Sequence, residues 1–236
     1  SLFNQKNRID IAPFLEKAIW NQVVNEAHNT GIRRIYFRNY ANLALTPSAL
    51  SNVQSVWNES LKIKNLNLST RDYTNIAASL AIKIPNSADQ IIETQLLKIK
   101  GPDNKARFQF IIPALSSDQY IRDNFFSTLM KAENRHTEPW VLSALRYLHH
   151  PLRIDFSEGY LKRSLNVLED IQITGDIFFP GRWLNATFKY YQSDVAIATV
   201  NNFLTKNPDY NYQLKLKILQ NSDQMKRANK ILKNTT

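Results

Sequence analysis

The chain has 236 residues, 43% of them hydrophobic and 11% aromatic, which is long enough to bury a real core and excludes a core-poor, disordered chain. It carries no cysteine, excluding disulfides, thiolate zinc sites and cysteine nucleophiles, and only 5 glycines, which argues against tight hairpins and phosphate-cradling loops. The formal charge of +10 hints at a polyanionic partner such as nucleic acid, but the lysines and arginines are dispersed, which reads first as a solvated basic surface.

Apolar residues recur at helical spacing in nearly every segment, with cap and breaker signals between them. In IDIAPFLEKAIWNQVVNEAHNTG, the residues Phe14, Leu15, Ile19, Trp20, Val23, Val24 and Ala27 form one stripe, with Gly31 placed to close the helix in a left-handed cap. A second helix is predicted through Ile35, Tyr36, Tyr40, Leu43 and Ala44. Thr46 before Pro47 puts a capping hydroxyl ahead of a proline at the first helical position, opening TPSALSNVQSVWNESL.

After the break IKNLNL, Ser69 and Asp72 make a capping box with Asp in place of the usual Glu or Gln, and Pro85 ends the helix that follows. Ser87 with Gln90 has the capping-box pattern and predicts the start of SADQIIETQLLKIK; GPDN, residues 101–104, reads as a turn cluster. KARFQFIIPAL, SSDQYIRDNFFSTLM and TEPWVLSALRYLHH each predict a helix of average length. SEGYLKRSLNVLEDIQITG predicts a longer one, and RWLNATFKYY, SDVAIATVNNFLTKN and YNYQLKLKILQNSDQMKRANKIL complete the set.

About a dozen helices with short polar links predict an all-α protein, an α-α superhelix of stacked antiparallel helix pairs of the HEAT or armadillo kind. They read as a single helical-repeat domain over residues 1–236; without a strict sequence repeat, a compact irregular bundle is the alternative. No apolar run is long enough to span a bilayer, and SLFNQKNRID lacks the apolar core of a signal peptide. A first residue of Ser1 with a helix starting almost at once reads as a piece of a longer chain.

His149 and His150 stand side by side before Pro151. Neighbours on a helix diverge by about 100°, so the pair is a poor chelator. It reads instead as a helix end, where the helix dipole favours an imidazolium. H-E-x-x-H, G-x-S-x-G, a P-loop and G-x-G-x-x-G are all missing from the sequence. Glu169 and Asp170 diverge as helix neighbours and read as a solvated face. Trp20, Trp57, Trp140, Trp183 and the pair Phe178 and Phe179 read mainly as core. In DIFFPGRWLNATF, the residues Ile177, Phe178 and Phe179 are expected to pin the loop to the body, leaving Arg182 at the next helix start to meet a carboxylate or a ligand anion.

Five stretches, ALTPSALSNVQSVWNESL, KGPDNKARFQFIIPALSSD, EPWVLSALRYLHHPLR, LEDIQITGDIFFPGRWLNATF and NPDYNYQLKLKILQNSD, together resemble the C-terminal part of the aminopeptidase N family of zinc metallopeptidases, especially its bacterial members. The resemblance runs from about Ala44 to the C-terminus, with the words in the family's order. It implies an accessory helical domain that packs beside a thermolysin-like catalytic domain of the same polypeptide and restricts peptide access to the active site. Zinc and the catalytic residues then belong to the parent's catalytic domain, with no cofactor, metal ligand or catalytic residue in this chain. Arg107, Arg146 and Arg182 lie inside the resembling words and are candidates to grip a peptide's terminal carboxylate. The resemblance leans towards the bacterial cell envelope or periplasm and leaves the cytoplasm open. The alternative is a stand-alone basic HEAT-like nucleic-acid-binding protein, such as an alkylpurine DNA glycosylase.

Overall fold

The computed structural model describes residues 5–234, and every regular element among them is helical. The all-α expectation therefore holds. The chain divides into two compact units, Gln5–Ser117 and a second that runs from Asp118.

The first unit holds α1 (Gln5–Val24), α2 (Thr30–Leu43), α3 (Pro47–Trp57), α4 (Thr70–Lys83), α5 (Ala88–Lys98) and α6 (Pro102–Leu115). Its axis is α4, which packs on α2, α3, α5 and α6. The sequence explains that position: Ala77, Ala78 and Ala81 with Ile76, Leu80 and Ile82 make α4 apolar on most of its circumference, so it is stable only when surrounded. Two of the expected caps form. Thr46 accepts from the Ala49 amide at 3.2 Å, and at Ser69 the hydroxyl accepts from the Asp72 amide while Asp72 Oδ2 accepts from the Ser69 amide at 2.9 Å. Buried Glu16 of α1 adds a tie the sequence did not reveal, accepting the amides of Leu45 and Thr46 at 2.6 and 3.1 Å just ahead of α3.

Four expectations fail here, each for a local reason. Gly31 closes nothing: α1 stops at Val24, and Asn29 caps α2 by accepting from the Ile32 amide, which puts Gly31 in the first turn of α2. Ser87 makes no cap bond, because Pro85–Ser87 forms a 3-10 turn that leaves it at φ −114°, ψ 9° instead of extended. Phe14 is 74% exposed, so the stripe on α1 is narrower than read and is carried by Val23 and the half-buried Leu15, Ile19 and Trp20. GPDN is a helix start: Gly101 sits at φ +88°, the left-handed region glycine enters freely, and Pro102 opens α6.

The second unit holds α7 (Gln119–Thr128), α8 (Glu138–Leu148), α9 (Ile154–Ser157), α10 (Tyr160–Asn166), α11 (Leu168–Thr174), α12 (Phe179–Phe188), α13 (Asp194–Lys206) and α14 (Tyr212–Asn234). Its axis is α12, packed on α8, α10, α11 and α14 through Phe179, Trp183, Leu184 and Phe188. The longer helix expected over SEGYLKRSLNVLEDIQITG is broken at Val167, which leaves α10 to pack on α13 and α12 while α11 packs on α12 and the 3-10 turn Ala132–Asn134. One straight helix cannot serve both sets of neighbours. No helix among the described residues is long and apolar enough to cross a membrane.

Candidate functional site

His149 ends α8, as its place before Pro151 predicts, but the imidazolium does not follow. The ring is fully buried against Phe126, Tyr160 and Tyr191, and burial pushes its pKa down to about 3, so it is neutral at physiological pH. The dipole expectation fails because desolvation outweighs the weak attraction of a helix end. Nδ1 shares a 2.6 Å bond with the Tyr191 hydroxyl. Burial raises the phenol above its ordinary value, so Tyr191 keeps its proton, while Nε2 is a buried atom with no partner among the described residues. His150 caps the turn Pro151–Arg153, its Nδ1 accepting from the Leu152 amide at 3.2 Å.

Around this pair lies a network that the sequence did not reveal. Tyr160 donates to Asp123, Gln119 donates to the Tyr160 oxygen at 3.1 Å, and Arg122 donates to Gln119. Arg153 is buried nearby, and burial together with the charge of Arg122 lowers it to about 10. Perturbed pKa values in a cluster are a signature of active sites. Here His149 is neutral and buried, and burial and Asp123 hold Tyr160 protonated, so neither ring is a ready general base.

The first unit contains the opposite arrangement. A cleft of about 350 Å³ opens between α2 and α4, lined by Arg38, Asn42, Arg71, Asp72, Asn75 and Ser79 above Ala41 and Ile76. Arg38 Nε donates to Asp72 Oδ1 at 2.6 Å, and the Ser69 amide and hydroxyl donate to Oδ2 at 2.9 and 2.8 Å. Burial pushes the Asp72 carboxyl up, but the bonds from Arg38 and Ser69 outweigh it and hold the group below its ordinary value. At the end of the same helix, Lys83 Nζ donates to the carbonyls of Ala41 and Asn42 at 2.8 Å each, joining α4 to the last turn of α2. Burial lowers Lys83 to about 8. The signal was present in the sequence as Arg71, Asn75 and Ser79 at four-residue spacing, but it becomes a site only when α2 supplies the facing wall.

The three arginines singled out by sequence lie on three helices, one in the first unit and two in the second. Arg107 lies half-buried on α6 of the first unit and is engaged by neighbouring groups. Arg146 is exposed in the last turn of α8 and Arg182 is exposed on α12, two helices that pack on each other in the second unit. Arg182 stacks over the Phe178 ring, 5.5 Å from its centroid. Asp170 is taken by Arg135, which also donates to the Leu129 carbonyl, while Glu169 is exposed. Trp57 and Trp183 are core, as expected, and Trp20 and Trp140 are half-buried.

The corner after α11 departs from expectation. Only Phe179 pins it, whereas Ile177 and Phe178 are 73% and 62% exposed, and Ile173 at the end of α11 is 83% exposed. Gly175 sets this geometry: a Cβ there would lie 2.6 Å from the Phe179 ring and 2.9 Å from the Ile171 carbonyl. Glu138 accepts from the Asp176 amide at 2.7 Å, and Asp176 accepts from the Phe178 amide at 2.8 Å, which turns the two side chains outward. Among the described residues, no group of three or more His, Asp or Glu side chains is placed to hold a metal ion. The chain matches no family model and no curated protein.

Proposed function

We propose that this chain is the non-catalytic, helical C-terminal part of a zinc aminopeptidase, packing on the catalytic domain of the same polypeptide and restricting peptide access to its active site. The observation that carries this reading is the apolar corner in LEDIQITGDIFFPGRWLNATF, where Ile173, Ile177 and Phe178 face solvent within six residues of chain. Grouped exposed apolar side chains mark a surface that another protein surface covers. A neighbouring catalytic domain is the cover this reading supplies. The all-α architecture and the order of the resembling words add support; the family comparison contributes none.

On this reading zinc and catalysis lie in the parent's catalytic domain, and Arg107, Arg146 and Arg182 are the candidates to grip a peptide carboxylate, the last two on helices that pack on each other. The deciding experiment measures aminopeptidase activity on amino-acid anilides, together with zinc content, for this chain and for the protein from the complete gene. Activity and zinc in the complete protein, with neither in this chain, is the expected result. Neither property in either protein overturns the reading, and salt-dependent DNA binding then tests the nucleic-acid alternative.

A further inference from the structure

The cleft between α2 and α4 plays no part in the reading above, and its side chains have bonding capacity to spare. Arg71, Asn75 and Ser79 stand in a row on α4, and Arg38 and Asn42 stand in a row on α2, each at four-residue spacing. Arg38 spends its Nε on Asp72, which fixes the guanidinium plane and leaves both terminal nitrogens without a protein acceptor among the described residues. Both oxygens of Asp72 are engaged, Oδ1 by Arg38 and Oδ2 by Ser69. Arg71 has no protein partner among the described residues, and neither do the side chains of Asn75 and Ser79. Two guanidinium cations against one committed carboxylate leave one positive charge in excess. The volume falls within the range of small-ligand sites, about 300 to 1,000 Å³.

We infer that this cleft binds the oxyanion of a small ligand, a carboxylate or a phosphate group, gripped by Arg71 and the terminal nitrogens of Arg38, with Asn75 and Ser79 as neutral donors. The walls offer mainly donors, and the one strong acceptor is in use, which selects for an acceptor-rich ligand. Guanidinium groups meet both anions with paired N–H bonds. Asp72 is a positioning residue: it holds Arg38 in place before the ligand arrives, which lowers the ordering cost of binding. The site lies wholly in the unit Gln5–Ser117 and does not depend on the aminopeptidase reading.

The test is calorimetric titration of the whole chain at low salt with inorganic phosphate, with N-acetyl-dialanine as the free acid, and with the same peptide as its C-terminal amide. Saturable binding of phosphate or of the free acid is expected, with none for the amide; phosphate alone assigns a phosphate ligand, and the acid alone a carboxylate. Arg71→Gln weakens binding by about tenfold or more, the loss of a charge-assisted hydrogen bond. It leaves the melting temperature unchanged, since Arg71 is exposed and without a protein partner. Lys105→Gln, outside the cleft, binds as the parent does. Absence of saturation with both anions, equal binding of amide and acid, or an Arg71→Gln protein that binds as tightly as the parent each overturns the inference.

Discussion

Asp72 and His149 both sit at helix ends and both are bonded to a side chain distant in the chain, yet they leave their surroundings in different states. Asp72 keeps its charge, because Arg38 and Ser69 replace the water it loses, and the arginine that serves it remains half open to solvent. His149 loses its charge, because burial is complete and its one partner is a neutral phenol. The first arrangement leaves donors over for a ligand. The second spends its polar groups on the fold and leaves only a buried ring nitrogen. A cluster of polar residues is thus informative about binding only after its bonds are counted.

The comparison breaks most sharply at Phe126, which stacks on Tyr160 at a centroid distance of 4.2 Å and is fully buried. Phe126→Ala should cost about 3 to 5 kcal/mol in urea unfolding, because the cavity opens beside the buried network. A loss under about 1 kcal/mol would show that this core collapses freely. Next comes pH. The folded-state pKa of His149, about 3, lies below the ordinary 6.5, so the unfolded chain holds the extra proton between these values and stability falls as pH falls. The expected slope from this residue is about 1.4 kcal/mol per pH unit within that window, and His149→Gln should flatten it. Equal slopes in both proteins would place the acid sensitivity elsewhere.

Tyr191→Phe removes the only bond to Nδ1 and should cost about 1 to 3 kcal/mol, read from the same denaturation curves. On the open side the effect is smaller. Ser69→Ala removes the cap of α4 and one of the bonds holding Asp72, for about 1 kcal/mol. Its melting temperature should fall less than that of Tyr191→Phe, and a reversed order would mean that the cleft is the more constrained of the two sites.

Helix existence was legible in the sequence wherever apolar period and cap agreed, as at Thr46 with Pro47 and at Ser69 with Asp72. It failed where a neighbour decided. Val167 has nothing in its own sequence to stop a helix; the break serves the separate partners of α10 and α11. Ser87 carries the capping pattern, but Pro85 fixes the preceding turn first. Of the site, the arginines were visible and their grouping was not, since Arg38 and Arg71 meet through helices 33 residues apart in the chain. The burial that neutralises His149 likewise depends on Tyr160 and Tyr191, which come later in the chain and which its own neighbours do not foretell.

The missing side chain at Gly175 ties the exposed corner to the interior. Phe179 can fill the core only because nothing projects from Gly175, and the backbone that seats Phe179 is the same stretch that turns Ile177 and Phe178 outward. The outer surface therefore inherits the stiffness of the inner one, and the two amide bonds at Asp176 leave the segment little freedom to adjust. A surface that docked on this corner would meet a preformed relief: it would have to match the shape already there, and it would gain affinity from not having to order it.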